Sequence, residues 1–379
     1  MALFETPTLT TRELDVIERI DAIRDALRHQ LPEQRKWVGL LRRVSLARAI
    51  RGSNSIEGFN VTLSEAVAAV AGELPSDPSA ETWQAVLGYR DALSYVLQLA
   101  DDVHFFYDAN LLRGLHHLML KYAPTKSPGR WRQGAVYVHD DSSQEIVYTG
   151  PDATDVPGLV QELVEYLRQD TGERPLVRAA MAHLNLAMIH PFRDGNGRMA
   201  RCLQTLVLAR EGIIAAPFSS IEEYLGENTA AYYAVLTEAG QGSWHPERDA
   251  TPWIRFVLTA HYRQAQTLIQ RAAESEQRWS IVEELAGRAS LPTRCIPALF
   301  NASMGFRLRN ATYRELADVN ETIAGRDLKA VAEAGLLEAS GERRGRSYQA
   351  GPALQSIDLA VRQNRHPVGD PFDARDVAT

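Results

Sequence analysis

Ile189-His190-Pro191-Phe192-Arg193-Asp194-Gly195-Asn196-Gly197-Arg198-Met199-Ala200-Arg201 is the stretch that decides how this chain folds. Upstream of it, Val177, Ala180, Met181, Leu184, Ala187 and Met188 recur at three- and four-residue steps, which predicts an amphipathic helix. Pro191 ends that helix, because proline lacks an amide donor and disfavours helical backbone in the residue before it. Downstream, Met199, Cys202, Leu203, Leu206, Val207 and Ala209 restart the helical period. Asp194-Gly195-Asn196-Gly197 is therefore expected at a helix N-terminus. Unpaired amides and the positive end of the helix dipole attract anions there, and glycines let a phosphate approach the backbone. Arg198 and Arg201, three apart, project from one face of the first turns and add fixed charge.

His190 beside such a cradle suits a proton transfer. A neutral imidazole can take the proton of a hydroxyl as its oxygen attacks phosphorus. Asp194 could hold Mg²⁺ bridging two phosphates, since a hard ion needs only one or two carboxylates when substrate phosphates supply the rest. Gly195, Asn196 and Gly197 would offer donors to the phosphate under attack, while Arg198 and Arg201 neutralise the others. The bland alternative is a loop with a helix-terminal histidine, an Asp-Gly turn and two surface arginines.

Working outward, 379 residues with 45% hydrophobic and 23% charged side chains predict two or three globular domains. A net charge of −7 argues against a surface that grips nucleic acid throughout, although a local basic patch is compatible with it. Cys202 and Cys295 cannot build a disulfide framework or a cysteine-based zinc site and read as core thiols. The N-terminus lacks a basic region followed by an apolar core, and no apolar run approaches spanning length. A cytoplasmic protein with no membrane contact is the expectation.

Residues 11–52 read as two helical segments either side of Pro32, ending at Gly52-Ser53-Asn54-Ser55-Ile56-Glu57-Gly58. Thr62-Leu63-Ser64-Glu65 then opens the next helix as a capping box. By itself Glu57 is a surface or capping carboxylate on a polar connection. A polar loop at 75–81 leads to a helix through Val86, Tyr89, Leu93 and Val96, and another spans Asn110 to Tyr122. His116 and His117 on it have no partner at metal-ligand spacing and read as surface or core histidines. Ala135–His139 and Glu145–Thr149 around Asp140-Asp141-Ser142-Ser143 predict a hairpin, the one convincing strand signal in the first two thirds of the chain. Further on, Asn228 precedes the adjacent Tyr232 and Tyr233, which read as packing residues or as one wall of a base pocket, and a long helix runs from about Trp253 to Leu285. Composition changes near 288–292. Two short helices, Ala311–Ala317 and Ala324–Ala334, and two strands around Gly341-Glu342-Arg343-Arg344-Gly345 then match a winged-helix pattern. Arg343, Arg344 and Arg346 could touch DNA phosphates, and a protein-interaction or dimer role is open as well. The end of the chain, with Pro367, Gly369 and Pro371, reads as a mobile tail.

His190-Pro191-Phe192-Arg193-Asp194-Gly195-Asn196-Gly197-Arg198-Met199-Ala200-Arg201 resembles the HPFx(D/E)GNGRxxR motif of the Fic family, filled at every fixed position. The family typically transfers AMP from ATP to a hydroxyl of a target protein. The resemblance implies His190 as general base, Asp194 as Mg²⁺ ligand, Asn196 with the flanking Gly195 and Gly197 amides as α-phosphate cradle, and Arg198 and Arg201 as phosphate-binding arginines. The hairpin at 135–149 resembles the family's flap, which aligns a target segment by strand addition. Asn228, Tyr232 and Tyr233 fall where the family places nucleotide-pocket residues. Ser53-Asn54-Ser55-Ile56-Glu57-Gly58 resembles the family's (S/T)xxx(E/D)(G/N) inhibitory motif, in the subclass where it precedes the core. That implies Glu57 pairing with Arg201 and obstructing the γ-phosphate.

The expected fold is mainly α: a Fic-type helical core with a β-hairpin flap, followed by a small winged-helix (α+β) domain. Its expected pieces are an N-terminal helical region with the inhibitory motif (1–105), the core (106–245), linker helices (246–289), the winged helix (290–350) and a C-terminal tail (351–379). The function this implies is a nucleotidyltransferase, an autoinhibited protein adenylyltransferase that uses Mg²⁺ and ATP on a Ser, Thr or Tyr hydroxyl of a target protein or of the chain itself. Removal of AMP, or transfer from another nucleotide, would use the same site. The alternative of another class is a DNA-binding regulator whose Fic core acts as a ligand switch, and a homodimer is compatible with either.

Overall fold

The computed structural model describes residues 2–32, 34–73, 80–139, 146–212, 215–341, 346–363 and 365–373. Helices dominate. In chain order they begin with α1 (Thr11–Gln30), α2 (Lys36–Ile56), α3 (Leu63–Val70), α4 (Glu81–Leu99) and α5 (Ala109–Leu120). A short turn at Pro124–Lys126 leads to β1 (Tyr137–His139) and β2 (Ile146–Thr149), followed by α6 (Val156–Arg168), α7 (Pro175–Ile189) and α8 (Asn196–Arg210). Then come α9 (Ala216–Ser219), α10 (Glu222–Glu227), α11 (Thr229–Gly240), β3 (Gly242–Ser243) and α12 (Thr251–Arg288). The last elements are α13 (Ile296–Ser303), α14 (Asn310–Ala317), α15 (Glu321–Glu333), β4 (Leu337–Ser340), β5 (Ser347–Ala350) and α16 (Pro352–Arg362). Among the described residues, no helix is long and apolar enough to cross a membrane.

The chain divides into two units. The first holds Met1–Ala26, Leu46–Ala265 and Gly369–Thr379; the second holds Leu27–Ser45 and Gln266–Val368. The expected division at residue 105 does not appear, because α4 and α5 share one apolar core with α7 and α8 through residues such as Tyr89, Leu93, Leu115 and Met119.

In the first unit α7 and α8 are buried on almost every side. A helix buried all round can carry a polar group only where a partner compensates its lost hydration. His183, Asn185, Arg198, Arg201, Gln204 and Thr205 are nonetheless buried on these two helices, and they outline the site. The capping box is present as expected, with Glu65 N–H donating to Thr62 and the Glu65 carboxylate accepting from the Thr62 amide.

β1 and β2 form the expected antiparallel hairpin, with Tyr137 opposite Thr149 and an irregularity between Val138 and His139; its turn at 140–145 lies outside the described residues. One strand escaped the sequence. β3 pairs parallel with β2, two residues long and beginning at a positive-φ glycine, so it has neither length nor β propensity to announce it. β1 is left at the sheet edge.

α2 runs on through Ile56, four residues beyond the expected end at Gly52. Packing supplies what propensity withholds. Gly52 lies so close to α10 that a Cβ there would stand 2.3 Å from the Glu222 carbonyl oxygen. Asn54 and Ser55 meanwhile turn back to donate to the carbonyls of Ile50 and Gly52.

The second unit has its own core, with Leu299, Tyr313, Leu328, Val331, Leu336 and Leu354 at its centre. Helices α14 and α15 and the β4–β5 hairpin follow in the expected order, and Leu308 bridges to Tyr348 as a further strand contact. The turn carrying Arg343 and Arg344 lies outside the described residues. The expected tail from 351 is instead a helix, α16, which buries Leu354, Ile357 and Val361. Nor is the segment beyond it loose: in the first unit Pro371 is buried, and Arg12 and Arg19 donate to the carbonyls of Phe372 and Pro371. Both cysteines are buried, as expected.

Candidate active site

His190 caps α7 in the left-handed conformation, with φ 50° and ψ 57°. A non-glycine residue stays there only when its surroundings compel it. Arg132 does so. Its backbone amide donates to the Pro191 carbonyl at 2.9 Å, and its guanidinium donates to the carbonyls of His190 at 2.9 Å and Gly134 at 2.8 Å. His116 holds the next residues, stacking on Phe192 with ring centroids 3.7 Å apart. The Gly129 amide donates to His116 Nδ1 at 2.8 Å, so the ring proton sits on Nε2, which donates to the Asp194 carbonyl at 2.9 Å.

Asn196 closes the loop from inside. Its side chain accepts from the Phe192 amide at 2.8 Å and donates to the Phe192 carbonyl at 2.9 Å. The Asn196 side chain thus braces the loop, while its backbone amide opens α8. Gly195 enters α8 with φ 75°, and a Cβ there would strike Leu120 at 2.7 Å.

The His190 ring is partly covered, and its Nδ1 lies 3.2 Å from the Ala187 carbonyl, which fixes the proton on that nitrogen. Nε2 is then the acceptor. Burial, reinforced by the Arg132 charge, lowers its pKa to about 4 and keeps the ring neutral through the physiological range.

The amides of Asn196, Gly197 and Arg198 open α8 and have no carbonyl within the helix to bond. Arg198 is 1% exposed and stands over the Phe59 ring at 5.3 Å, yet its Nε and Nη1 meet no acceptor. Arg201, equally buried, donates through Nε to Ser53 Oγ at 2.8 Å and through Nη2 to the Ser53 carbonyl at 3.0 Å, and its Nη1 also lacks an acceptor. Buried guanidinium hydrogens without partners call for an anion. Asp194 is pulled two ways. Burial raises its pKa, but the Lys126 ammonium 2.9 Å away, with Arg198 and the Gly195 amide, outweighs burial and holds it below the carboxylate range.

Glu57, first residue beyond α2, reaches this same turn. Its Oε1 accepts from Arg201 Nη2 at 2.7 Å and lies 2.6 Å from where a Cβ of Gly197 would stand. The sequence-expected pairing of Glu57 with Arg201, and the buried place of Ser53 beside them, are both present.

The three expected base-pocket residues separate. Tyr232 is 1% exposed beneath the Arg201 guanidinium, 5.9 Å from ring to charge, and its hydroxyl meets His183 Nε2 at 2.9 Å, so it supports Arg201 and cannot face a base. The Asn228 side chain donates to the Tyr224 carbonyl at 2.8 Å. Tyr233 alone is substantially exposed, at 43%, with its hydroxyl 3.3 Å from the Ile56 carbonyl. Arg132, His116, His183 and Lys126 belong to the site, and their roles there escaped the sequence, because nothing in their spacing ties them to partners 21 to 78 residues away. The one available signal was a histidine, His183, inside a mostly apolar helix.

Several of these groups make stability depend on pH. Burial lowers the folded-state pKa of His116 to about 4, His183 to about 3 and His190 to about 4, and that of His261 falls as well, from an ordinary 6.5. Between pH 6.5 and 4 the unfolded chain therefore binds protons that the folded chain refuses, and stability falls as pH falls. Glu222, raised to about 7 by burial, and Asp21, also raised by burial, act the other way over part of that range but are two groups against four. The melting temperature is expected to fall steadily from pH 7 to pH 4.5; a flat or rising profile would contradict the neutral-histidine arrangement.

Residues 102–208 match the Fic/DOC family. The chain is 28% identical over 256 residues to the protein adenylyltransferase Fic of Nematostella vectensis, covering 66% of this chain and 55% of that protein. It is 29% identical over 209 residues to the protein adenylyltransferase fic-1 of Caenorhabditis elegans, covering 54% and 37%. The chain thus spans about half the length of these curated relatives, or less. A solved Fic family protein from Desulfovibrio desulfuricans shares the fold at a TM-score of 0.57 and 22% identity, covering 92% of this chain and 98% of that one. Fic-1 from C. elegans does so at 0.55 and 24%, covering 70% and 73%.

Proposed function

We propose, from the premise that residues 102–208 of this chain are a Fic/DOC-family domain, that the protein is an autoinhibited protein adenylyltransferase. The observation that carries the reading is one arrangement. A neutral histidine with Nε2 unprotonated precedes helix-opening amides and two buried arginines, of which Arg198 Nε and Nη1 and Arg201 Nη1 lack acceptors. Relatives named protein adenylyltransferase support ATP as the co-substrate.

In this reading a Ser, Thr or Tyr hydroxyl of a target protein gives its proton to His190 Nε2 while its oxygen bonds to the α-phosphorus of ATP. The bond from that phosphorus to pyrophosphate breaks, leaving AMP on the protein. The amides of Asn196, Gly197 and Arg198 and the guanidinium groups of Arg198 and Arg201 hold the phosphates as charge shifts onto them. A hard divalent ion needs only one or two protein carboxylates when nucleotide phosphates and water supply its other ligands. Asp194 is the carboxylate that would hold Mg²⁺, and the ion would neutralise the polyphosphate and the leaving pyrophosphate. β1, at the edge of its sheet with Tyr137 half exposed, has an open ladder to which a target segment can add as a strand.

Glu57 supplies the restraint. A γ-phosphate seeking Arg201 meets a carboxylate already bonded there. The same partly exposed carboxylate is suited to orient a water, so removal of AMP from a protein is the second reading. The DNA-binding alternative gains nothing from Arg343 and Arg344, which lie outside the described residues.

The test is incubation with lysate protein and Mg²⁺, using ATP labelled at either the α or the γ phosphate, with α-labelled GTP, CTP and UTP in parallel. The α-label of ATP should remain on protein and the γ-label should not. Retention of the γ-label would replace nucleotidyl transfer with phosphoryl transfer.

A further inference from the structure

Asp194 already has a cation. Its Oδ1 accepts from the Gly195 amide at 2.6 Å, and the Lys126 ammonium lies 2.9 Å from its Oδ2. Neither side chain is buried, with 45% of Lys126 and 34% of Asp194 exposed, so the carboxylate remains open to an incoming ion.

Built contacts bring the lysine there. Lys126 ends the short turn Pro124–Lys126, and Ser127 follows with φ 55° and its amide bonded back to the Pro124 carbonyl. Arg193, next to Asp194 in sequence, donates to the Thr125 carbonyl at 3.1 Å. The neutral His116 ring spans the other side, accepting from Gly129 and donating to the Asp194 carbonyl. Segment 125–129 is thereby joined to the Arg193 side chain on one flank of Lys126 and, through His116, to the Asp194 carbonyl on the other, which presents the ammonium to the carboxylate.

We propose that Lys126 is a built-in counter-cation for Asp194, which competes with the divalent ion for that carboxylate and so sets the metal dependence of nucleotide binding. The proposal rests on the reading above that Asp194 is the metal carboxylate. A lysine charge at hydrogen-bond distance from one of two carboxylate oxygens both occupies a ligand atom and repels a second cation. Because both side chains reach solvent, the competition is modest, roughly two- to fivefold in affinity. Without metal, the same ammonium adds positive charge near incoming phosphates, so its loss widens the gap between metal-loaded and metal-free nucleotide.

The experiment measures binding and needs no turnover. Dissociation constants of α,β-methylene-ATP are determined by calorimetry with Mg²⁺ and with EDTA, in Glu57→Gly protein carrying Lys126 unchanged, Lys126→Met, Lys126→Arg or Asp194→Asn. The ratio of the two constants should widen by about two- to fivefold in Lys126→Met, stay unchanged in Lys126→Arg and collapse in Asp194→Asn. A ratio unchanged or narrowed in Lys126→Met, with Asp194→Asn collapsed, overturns the competition alone. A ratio that survives Asp194→Asn overturns the metal assignment and the competition with it. Absence of nucleotide binding in every variant overturns the proposed function itself.

Discussion

Transfer of AMP label to protein is expected to fall by roughly 10²–10⁴-fold when His190 is replaced, the range associated with loss of a positioned general base. The imidazole has the proton on Nδ1 toward the Ala187 carbonyl and a pKa lowered to about 4, so it is ready to accept at neutral pH. Alanine alone would be an ambiguous replacement, since position 190 sits at φ 50° and alanine adopts left-handed backbone less readily than histidine or asparagine. His190→Asn separates the effects, because asparagine tolerates left-handed backbone and cannot act as the base. Both variants should lose transfer, while His190→Asn should melt closer to the wild-type temperature. Transfer retained by His190→Asn within a fewfold would sink the base assignment.

The opposite change is expected from Glu57→Gly. The bond from Arg201 to Glu57 is charge-assisted, 2.7 Å long and attached to a guanidinium only 1% exposed. Bonds of this kind are worth about 1.5–3 kcal/mol, so removing one should free Arg201 for a phosphate and raise labelling roughly ten- to a hundredfold. Ser53 continues to hold Nε and Nη2, which keeps the guanidinium near its place. The nucleotide-free protein should melt lower than wild type, having lost a partner for a buried charge, and ATP should restore more stability to the variant than to wild type. Labelling that fails to rise, with ATP still bound, would mean that Glu57 is only a structural partner of Arg201.

The distribution of what was legible follows the range of the interactions. His190, Asp194, Gly195, Arg198 and Arg201 share a dozen consecutive residues, and a helix end, tight loop and helix start place them by local backbone rules. Glu57 stood apart: its motif was readable through resemblance, but the physics of its position was not, because Gly52 to Ile56 are poor helix formers that stay helical only against α10 and Arg201. Tyr232 was misplaced for the converse reason. A tyrosine pair at a plausible distance from the motif gives no indication of which ring faces the core, and His183 below Arg201 claims Tyr232 for the interior.

By itself the sequence determined the helical class, the loop between two buried helices, the hairpin, the succession of α14, α15, β4 and β5 and the chemistry of the 190–201 stretch, since periodicity, proline, glycine and capping act within a few residues. Only the tertiary structure decided that Arg132 and His116 hold that loop in shape, that Asn196 is its internal brace, that α16 closes the second core, and that Lys126 and Glu57 each reach a charged group of the site. Those decisions depend on which buried polar group finds a partner. Partners are chosen by packing across 68 residues for Lys126 and Asp194 and 144 for Glu57 and Arg201, distances at which spacing along the chain carries no physical constraint.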